Sequence, residues 1–121
     1  MTLEQVQPER VDAATGRLRV VFLLTVAEGA EDRFVAAYEA IRHRVAAVDG
    51  HLADQLCQST TDPSQWMITS EWESPEHFLA WERTAGHREL AGPLVACTTD
   101  RRSLRFLVRH QTSGAAQRGW R

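Results

Sequence analysis

The chain passes from a strand into a helix within residues 66–81, which read Trp66-Met-Ile-Thr-Ser-Glu-Trp72-Glu-Ser-Pro-Glu-His-Phe-Leu-Ala-Trp81. Alternate side chains of a strand share a face, so Trp66 and Trp72 point to the same side of the sheet. Ser74 can cap the first amides of a helix, and Pro75 suits the first helical position. The stretch therefore predicts a strand followed at once by a helix.

Both parts of this unit carry large aromatic side chains. Phe78 and Trp81 lie three residues apart, on one face of the predicted helix. Facing aromatics of this kind either fill a core or line a pocket for a flat, apolar ligand. Ser70 shares the strand face and either bonds a substrate oxygen or is satisfied within the core. The pocket interpretation assigns five residues to substrate binding: Trp66, Ser70, Trp72, Phe78 and Trp81.

Hydrophobic patterns on either side of this stretch extend it into a domain. Short apolar or alternating runs predict strands at 18–26, 51–59 and 104–110, and recurrence at three and four residues predicts a helix over 34–45. Turn residues at 61–64 predict a hairpin. The helix from Pro75 is expected to break near Gly86, with a short continuation to Leu90. The order β-α-β-β-α-β predicts an α+β, ferredoxin-like fold with a four-stranded antiparallel sheet.

The same patterns divide the chain and suggest its assembly. Residues 1–16 show no periodicity and are expected to be a flexible segment, residues 17–111 form the domain, and residues 112–121 form a tail. The first and last strands carry apolar residues on both faces, whereas helices cover only one. We therefore expect a homodimer in which two sheets pack face to face.

Composition narrows the classes of function. The formal net charge of -2 gives no general attraction to nucleic acid or to an anionic membrane. No run approaches the roughly 18 apolar residues of a membrane span, and no signal peptide is evident, which favours the cytoplasm. Two isolated cysteines, Cys57 and Cys97, suggest neither a disulfide nor a zinc site. All 14 basic residues are arginine, which excludes a lysine Schiff base.

The element order, together with the segment Trp72-Glu-Ser-x-Glu-x-Phe-x-x-Trp81, resembles the antibiotic biosynthesis monooxygenase (ABM) family of dimeric α/β barrels. The resemblance covers roughly residues 17 to 111. It implies one of several chemistries, since the family includes cofactor-free oxygenases that convert phenolic polycyclic intermediates into quinones and enzymes that degrade haem. Related barrels act as polyketide cyclases, so the fold alone does not choose the reaction.

The resemblance to the haem-degrading branch fails at two positions. Those relatives carry a tryptophan that matches Trp81, a haem-ligating histidine ten residues later and an asparagine in the first strand. Here the tenth residue after Trp81 is Ala91, and residues 20–26 contain no asparagine. Haem degradation is therefore the less favoured function, and no cofactor or metal is expected beyond molecular oxygen as co-substrate.

Acid–base groups near the aromatic cluster are the candidate catalytic residues. His77 and His87 are candidate general bases, because imidazole titrates near neutral pH, although either also fits a solvated position on a helix. Arg88 is a candidate for stabilising a phenolate or peroxy anion, or else an ordinary surface charge. Asp54 and Gln58 are expected to enter the same cavity if Leu52, Asp54, Leu56 and Gln58 share a face of their strand.

Three hypotheses follow from the sequence. The first is a cofactor-independent monooxygenase that oxidises an aromatic, phenol-like or anthrone-like polyketide intermediate. The second is a polyketide cyclase or aromatase that uses the same cavity without O2. The third is a dimeric, non-catalytic protein that binds such a molecule for another enzyme. Oxygen consumption by the purified protein would separate them.

Overall fold

A computed structural model describes residues 16–117. Its elements, in chain order, are β1 (Leu18–Val26), α1 (Glu31–Ala46), β2 (His51–Gln58), β3 (Gln65–Trp72), α2 (Pro75–Glu82), α3 (Ala85–Val95) and β4 (Thr98–Leu107). The predicted flexible segment at 1–16 and the end of the predicted tail, including Trp120, lie outside the described residues except for position 16.

The four strands form one antiparallel sheet in the order β2-β3-β1-β4. This order, with helices after β1 and β3, is that of a ferredoxin-like α+β fold and confirms the predicted fold class. The helices pack against one face of the sheet, which we call the inner face. None of the helices in the described part of the chain has the length and apolar character needed to cross a membrane.

Strand pairing arranges the inner face in rows that run across the sheet. Asp54 of β2 pairs with Ser70 of β3, Ser70 with Val20 of β1, and Val20 with Arg105 of β4. Three interstrand steps of about 4.8 Å separate the first and last members of this row by about 14 Å. The row therefore places a carboxylate at the β2 edge of the inner face and a guanidinium at the β4 edge.

The predicted face of Leu52 is wrong, because β2 contains a bulge at this residue. His51 pairs with Trp72 and Ala53 pairs with Glu71, so the register shifts between them and Leu52 is the extra residue. Leu52 is 44% exposed, whereas the predicted alternation placed it with Asp54. Because a bulge adds one residue to the alternation, His51 and Asp54 both reach the inner face although they are three residues apart.

The predicted break between the last two helices is confirmed, but their extent differs from the prediction. Helix α3 continues past Leu90 to Val95 and includes Pro93, and β4 begins at Thr98 rather than Leu104 and ends at Leu107. Pro93 lies in the last turn of α3, where its missing N–H removes one helical hydrogen bond. Polar residues 98–103 showed no strand pattern because β4 is an edge strand with few buried side chains.

The core divides into two clusters on the inner face. One cluster surrounds the fully buried Phe34 of α1 and includes Leu24, Leu90 and Leu94. The other surrounds the fully buried Trp72 and includes Leu18, Val20 and Phe78. Trp81 packs against both clusters. This division leaves space between the helices and the middle of the sheet.

Candidate active site

A cavity of about 240 Å³ lies between the inner sheet face and the three helices. Its volume is close to the lower end of small-molecule sites, roughly 300–1,000 Å³, which favours a small or flat ligand. All four strands and all three helices contribute to its lining. Most lining side chains are apolar, and the polar members are Tyr38, Arg42, Asp54, Ser70, Glu82, His87 and Ser103.

Aromatic rings of the strand–helix unit form one wall of this cavity. Trp72 and Trp81 stack with their ring centroids 5.3 Å apart and their planes at 25°. Phe78 meets both tryptophans edge-on, at 5.4 Å from Trp72 and 6.3 Å from Trp81. Trp72 is fully buried and Trp81 is partly exposed, so the stack extends from the core into the cavity. This wall matches the flat faces of an aromatic ligand.

Ser70 fixes the buried tryptophan and presents its own proton to the cavity. The indole Nε1 of Trp72 donates a hydrogen bond of 3.0 Å to Ser70 Oγ. A hydroxyl group both donates and accepts, so accepting this bond leaves the Ser70 proton available. Ser70 lines the cavity from β3, one of the two central strands, and can donate to an oxygen of a ligand lying on the sheet.

A threonine at the junction of α2 and α3 holds the cavity histidine against this wall. Thr84 Oγ1 donates to the carbonyl of Trp81 at 2.7 Å and accepts from the backbone N–H of His87 at 3.1 Å. The imidazole of His87 then meets the Trp81 ring edge-on, with centroids 4.7 Å apart. The break between α2 and α3 brings His87 to the same side as Trp81, which a continuous helix would not do.

Burial lowers the pKa of His87 below its ordinary value of about 6.5. The positive charges of Arg88 and Arg105 act in the same direction, and the carboxylate of Glu82 opposes them. Glu82 is itself paired with Arg105, whose Nη2 lies 2.6 Å from Glu82 Oε2. His87 is therefore neutral at pH 7 and can accept a proton from a ligand in the cavity.

Side chains from α1 and β2 form a second polar cluster at the cavity. The hydroxyl of Tyr38 donates a hydrogen bond to Asp54 Oδ1, and His51 Nε2 lies 2.9 Å from Asp54 Oδ2. The side chain of Asp54 is 12% exposed and that of His51 is 4% exposed. His51 packs edge-on against Trp72, with ring centroids 5.1 Å apart, so the group adjoins the aromatic wall.

Burial is also the largest cause of a raised pKa at Tyr38, and its hydrogen bond to Asp54 and the charge of Asp54 add to the shift. Arg42 opposes the shift, with its guanidinium carbon 5.9 Å from the centre of the Tyr38 ring. Tyr38 is consequently protonated throughout the neutral range. Its hydroxyl hydrogen is held by Asp54, and its side chain is part of the cavity lining.

The structure brings together five of the eight candidate site residues. Ser70, Trp72, Phe78, Trp81 and His87 line the cavity. Asp54, expected to enter from β2, also lines it, whereas Gln58 is exposed and donates to the carbonyl of Pro63 at 3.0 Å.

The other three candidates lie outside the cavity lining. Trp66 is buried in the core, edge-on to Phe34 at 5.3 Å. His77 lies at the start of α2, where its Nδ1 is 2.7 Å from Ser74 Oγ. Arg88 is exposed and acts on the cavity through its charge near His87.

The sequence pattern missed four polar residues of the cavity lining, Tyr38, Arg42, Glu82 and Ser103, and also missed His51, which lies beside Asp54. Tyr38 belongs to the apolar stripe of α1. A tyrosine buried on such a stripe needs a hydrogen-bond partner for its hydroxyl, so its presence in the sequence could have indicated a polar group facing α1. His51 carried no signal because its position depends on the bulge in β2. Within residues 16–117, no group of three or more His, Cys, Asp or Glu side chains is arranged to hold a metal ion.

The fold and the cavity define a small α+β protein with an internal cavity lined largely by aromatic and aliphatic side chains. The chain belongs to the antibiotic biosynthesis monooxygenase family, whose model matches residues 17–92. This confirms the family resemblance of the strand–helix segment.

Similar sequences come from Streptomyces. The chain is 51% identical over 98 residues to the 42.8 kDa protein in the whiE locus of Streptomyces coelicolor, covering 81% of this chain and 25% of that protein. It is 43% identical over 121 residues to protein SchA of Streptomyces halstedii, covering 93% of this chain and 32% of SchA. The chain thus spans about a quarter to a third of the length of these curated relatives.

Solved structures of low sequence identity share the fold. SnoaB from Streptomyces nogalater, described as a cofactor-independent oxygenase, superposes with a TM-score of 0.71 at 19% identity, covering 79% of this chain and 96% of SnoaB. A putative antibiotic biosynthesis monooxygenase from Nitrosomonas europaea gives a TM-score of 0.72 at 13% identity, with 82% and 96% covered. At these identities the likeness concerns the fold.

Proposed function

We propose that this protein is a cofactor-independent monooxygenase that oxidises an aromatic, phenol-like or anthrone-like intermediate of polyketide metabolism. The observation that carries the proposal is the cavity in which a neutral His87 lies against stacked tryptophans. The names of its relatives support the substrate class, since one Streptomyces cyaneus protein, 45% identical over 98 residues, is called polyketide synthase CurD. SnoaB supports the absence of a cofactor.

The proposed reaction needs a base, a dry site and an electron-rich substrate. His87 takes a proton from the substrate, which leaves an anion whose electrons can pass to O2. Trp72, Trp81 and Phe78 hold the ring and exclude water from the anion. The substrate itself supplies the electrons, so no flavin or metal enters the proposal. One oxygen atom of O2 enters the product, and the other leaves as water.

Charged and polar neighbours complete the proposed site. Arg88 and Arg105 favour an anion near His87, because both guanidinium groups already act on the imidazole. Ser70 donates to an oxygen of the substrate from the floor of the cavity. His77 and Trp66 contribute indirectly in this proposal, through the start of α2 and through the core.

Oxygen consumption by the purified, metal-free protein tests the proposal. An anthrone is the probe, because its CH2 group loses a proton to give an electron-rich anion that O2 converts to a quinone. We expect protein-dependent oxygen uptake that falls at least tenfold in His87→Gln. The matched control is His43→Gln, an exposed histidine of α1. Uptake equal to that of the buffer, or unaffected by His87→Gln, would contradict the proposal.

The same assay separates the rival functions. A cyclase or aromatase would convert a poly-ketone equally well under argon. A non-catalytic binding protein would bind the anthrone without producing a quinone. Labelling with 18O2 distinguishes oxygen insertion from simple electron transfer, because only the former places the label in the product.

We further propose that the protein acts in the cytoplasm as a homodimer joined through its outer sheet faces. The outer face of β1, β3 and β4 carries half-buried apolar side chains together with Phe106, which is 52% exposed. A second copy packed on this face would remove these side chains from water.

A further inference from the structure

We propose that Tyr38, Asp54 and His51 form a hydroxyl-recognition site at the β2 end of the cavity, which selects a phenolic or enolic O–H group of the ligand. This inference rests on the proposed function for the aromatic class of the ligand. It goes beyond that function by assigning a specificity site far from His87. The site favours the hydroxylated substrate over a product that carries a carbonyl at the same place.

Its location is separate from the proposed base. Asp54 lies on β2, and the row through Ser70 and Val20 ends at Arg105 on β4, about 14 Å away. Arg105 is one of the charges that act on His87. A flat ligand lying along this row meets His87 near one end and Asp54 near the other.

The hydrogen bonds already made by Tyr38 and Asp54 explain why the site binds a ligand group that donates a proton. Tyr38 has a single hydroxyl proton, which it donates to Asp54, so its oxygen can only accept a further bond. The Asp54 carboxylate accepts from the Tyr38 hydroxyl at Oδ1, and its Oδ2 lies 2.9 Å from His51 Nε2. A carboxylate offers only lone pairs to a ligand. A ligand hydroxyl can therefore donate to the Tyr38 oxygen or to the carboxylate, whereas a ligand carbonyl would face lone pairs.

The raised pKa of Tyr38 keeps this polarity fixed over the neutral range. Arg42 from α1 lies over the Tyr38 ring, and Cys57 from β2 adds a small electrostatic effect on the hydroxyl. The cavity polar groups from the other helices are Glu82 and His87. Among these neighbours, Asp54 is the group that accepts the hydrogen bond from the Tyr38 hydroxyl.

His51 is a positioning residue that acts through Asp54. Its Nε2 is 2.9 Å from Asp54 Oδ2, and its ring is held against Trp72. The bulge in β2 is what turns both side chains inward, and it leaves Leu52 44% exposed. Bulges next to binding sites commonly re-aim side chains in this way, whereas a regular strand would have placed His51 and Asp54 on opposite faces.

A pair of probes that differ only at the donor tests the site. We compare the dissociation constants of 2-naphthol and 2-methoxynaphthalene by calorimetric titration under argon, where no oxidation occurs. The intact protein is expected to bind 2-naphthol about tenfold more tightly, as for one hydrogen bond to a charged acceptor pair. This preference should fall to threefold or less in Asp54→Asn and in the double variant Tyr38→Phe/Asp54→Asn.

Matched variants assign the preference to this site. Glu39→Gln removes an exposed carboxylate from α1 and should keep the tenfold ratio. His87→Gln gives the comparison at the other end of the cavity, where the proposed base lies. His51→Gln retains an N–H donor and should rescue the ratio that His51→Phe lowers, which a merely structural role would not predict. Thermal unfolding confirms that each variant is folded.

The outcomes separate this inference from the proposed function. A ratio that is unchanged in Asp54→Asn, or that collapses only in His87→Gln, overturns the hydroxyl-recognition site. If the double variant fails to fold, Asp54→Asn alone decides. Absence of oxygen uptake with a preserved, Asp54-dependent ratio would refute the oxygenase and leave the recognition site standing.

Discussion

Trp81 is the side chain through which the aromatic wall reaches the ligand. It stacks on the buried Trp72 and meets His87 edge-on, so it forms part of the cavity and also positions the imidazole. A smaller apolar residue would keep this position dry but would remove the flat surface against which a ring can stack. Loss of Trp81 is therefore expected to weaken ligand binding as well as folding.

We predict that Trp81→Leu raises KM for an anthrone about tenfold, since one aromatic stacking contact contributes on the order of 1 kcal/mol and displacement of the ring adds to it. The free energy of unfolding should fall by about 1–2 kcal/mol, because Trp81 is only half-buried. The control is Phe34→Leu, a fully buried residue outside the cavity lining, which should lower stability and leave KM unchanged. Equal KM values for Trp81→Leu and the parent would contradict the role of Trp81.

His87 gives the proposed reaction a defined pH dependence. Burial lowers its pKa below about 6.5, so the imidazole is neutral at pH 7 and becomes protonated only in more acidic solution. We predict that kcat/KM for oxygen uptake is flat around neutral pH and falls below pH 6.5. The residual kcat/KM of His87→Gln should not fall below pH 6.5, whereas that of His43→Gln should fall as in the parent.

The same shift couples His87 to folding. Because its pKa is lower in the folded state, the unfolded chain binds more protons between the two pKa values. The free energy of unfolding contributed by His87 is therefore present above pH 6.5 and decreases as the pH falls through the folded-state value. Urea titrations at neutral and mildly acidic pH should show a smaller loss of stability in His87→Gln than in the parent.

At the scale of elements, the turn between α1 and β2 is locked against the start of α2. Gly50 has a φ of 86°, in the left-handed region, and a Cβ at this position would lie 2.3 Å from Cγ of His77. His77 also lies 3.7 Å from carboxylate oxygens of both Asp49 and Glu73. These contacts join the strand–helix unit to the end of α1, which fixes α2 over the cavity.

We predict that Gly50→Ala lowers the free energy of unfolding by about 2–4 kcal/mol, from left-handed strain and from steric overlap. Gly29 supplies the control, because its φ of 82° is similar but no atom lies within 4 Å of an added Cβ. Gly29→Ala should lower stability by about 1 kcal/mol, the cost of the backbone conformation alone. Adding His77→Ala should recover part of the Gly50→Ala loss, and urea unfolding measures the three variants and the parent. A double variant no more stable than Gly50→Ala would show that the His77 ring is not the obstacle.

Elements with a strong local signal were predictable from the sequence. Ser74 caps α2 as expected, accepting from the backbone N–H of His77 at 3.2 Å, and the alternation from Trp66 to Trp72 matches the inner face of β3. The bulge at Leu52 was not predictable, because no glycine or proline marks it. Its effect depends on pairing with β3, a long-range contact that leaves no local pattern.

The candidate site was predictable only where it lies within one segment. Ser70, Trp72, Phe78 and Trp81 come from a single strand–helix unit, so their spacing already placed them together. The Tyr38–Asp54 contact joins α1 to β2, and the position of His87 depends on a helix break. Trp66 satisfied the same spacing rule yet lies in the core, because the cavity occupies only part of the inner face.

At the scale of the whole molecule, the outer sheet face carries the apolar side chains on which the proposed homodimer rests. Val21 of β1 pairs with Leu104 of β4, Leu23 pairs with Met67 of β3, and Phe106 extends this surface at the β4 edge. These side chains alternate with inward-facing partners and receive no cover from the helices. Arg19 and Glu71 form an ion pair of 3.2 Å on the same face, which provides a polar rim.

We predict that Phe106→Arg converts the proposed homodimer into monomers, because two copies of an exposed ring would be replaced by two like charges brought together by the twofold axis. Sedimentation equilibrium at micromolar concentration measures the mass, and the parent chain should sediment as twice 13.7 kDa. Ala36→Arg is the control, since Ala36 is exposed on α1 and lies on the helical side of the sheet. Far-ultraviolet circular dichroism should show that both variants keep their secondary structure. A parent chain that sediments as a monomer, or a Phe106→Arg variant that remains dimeric, would place any assembly surface elsewhere than the outer sheet face.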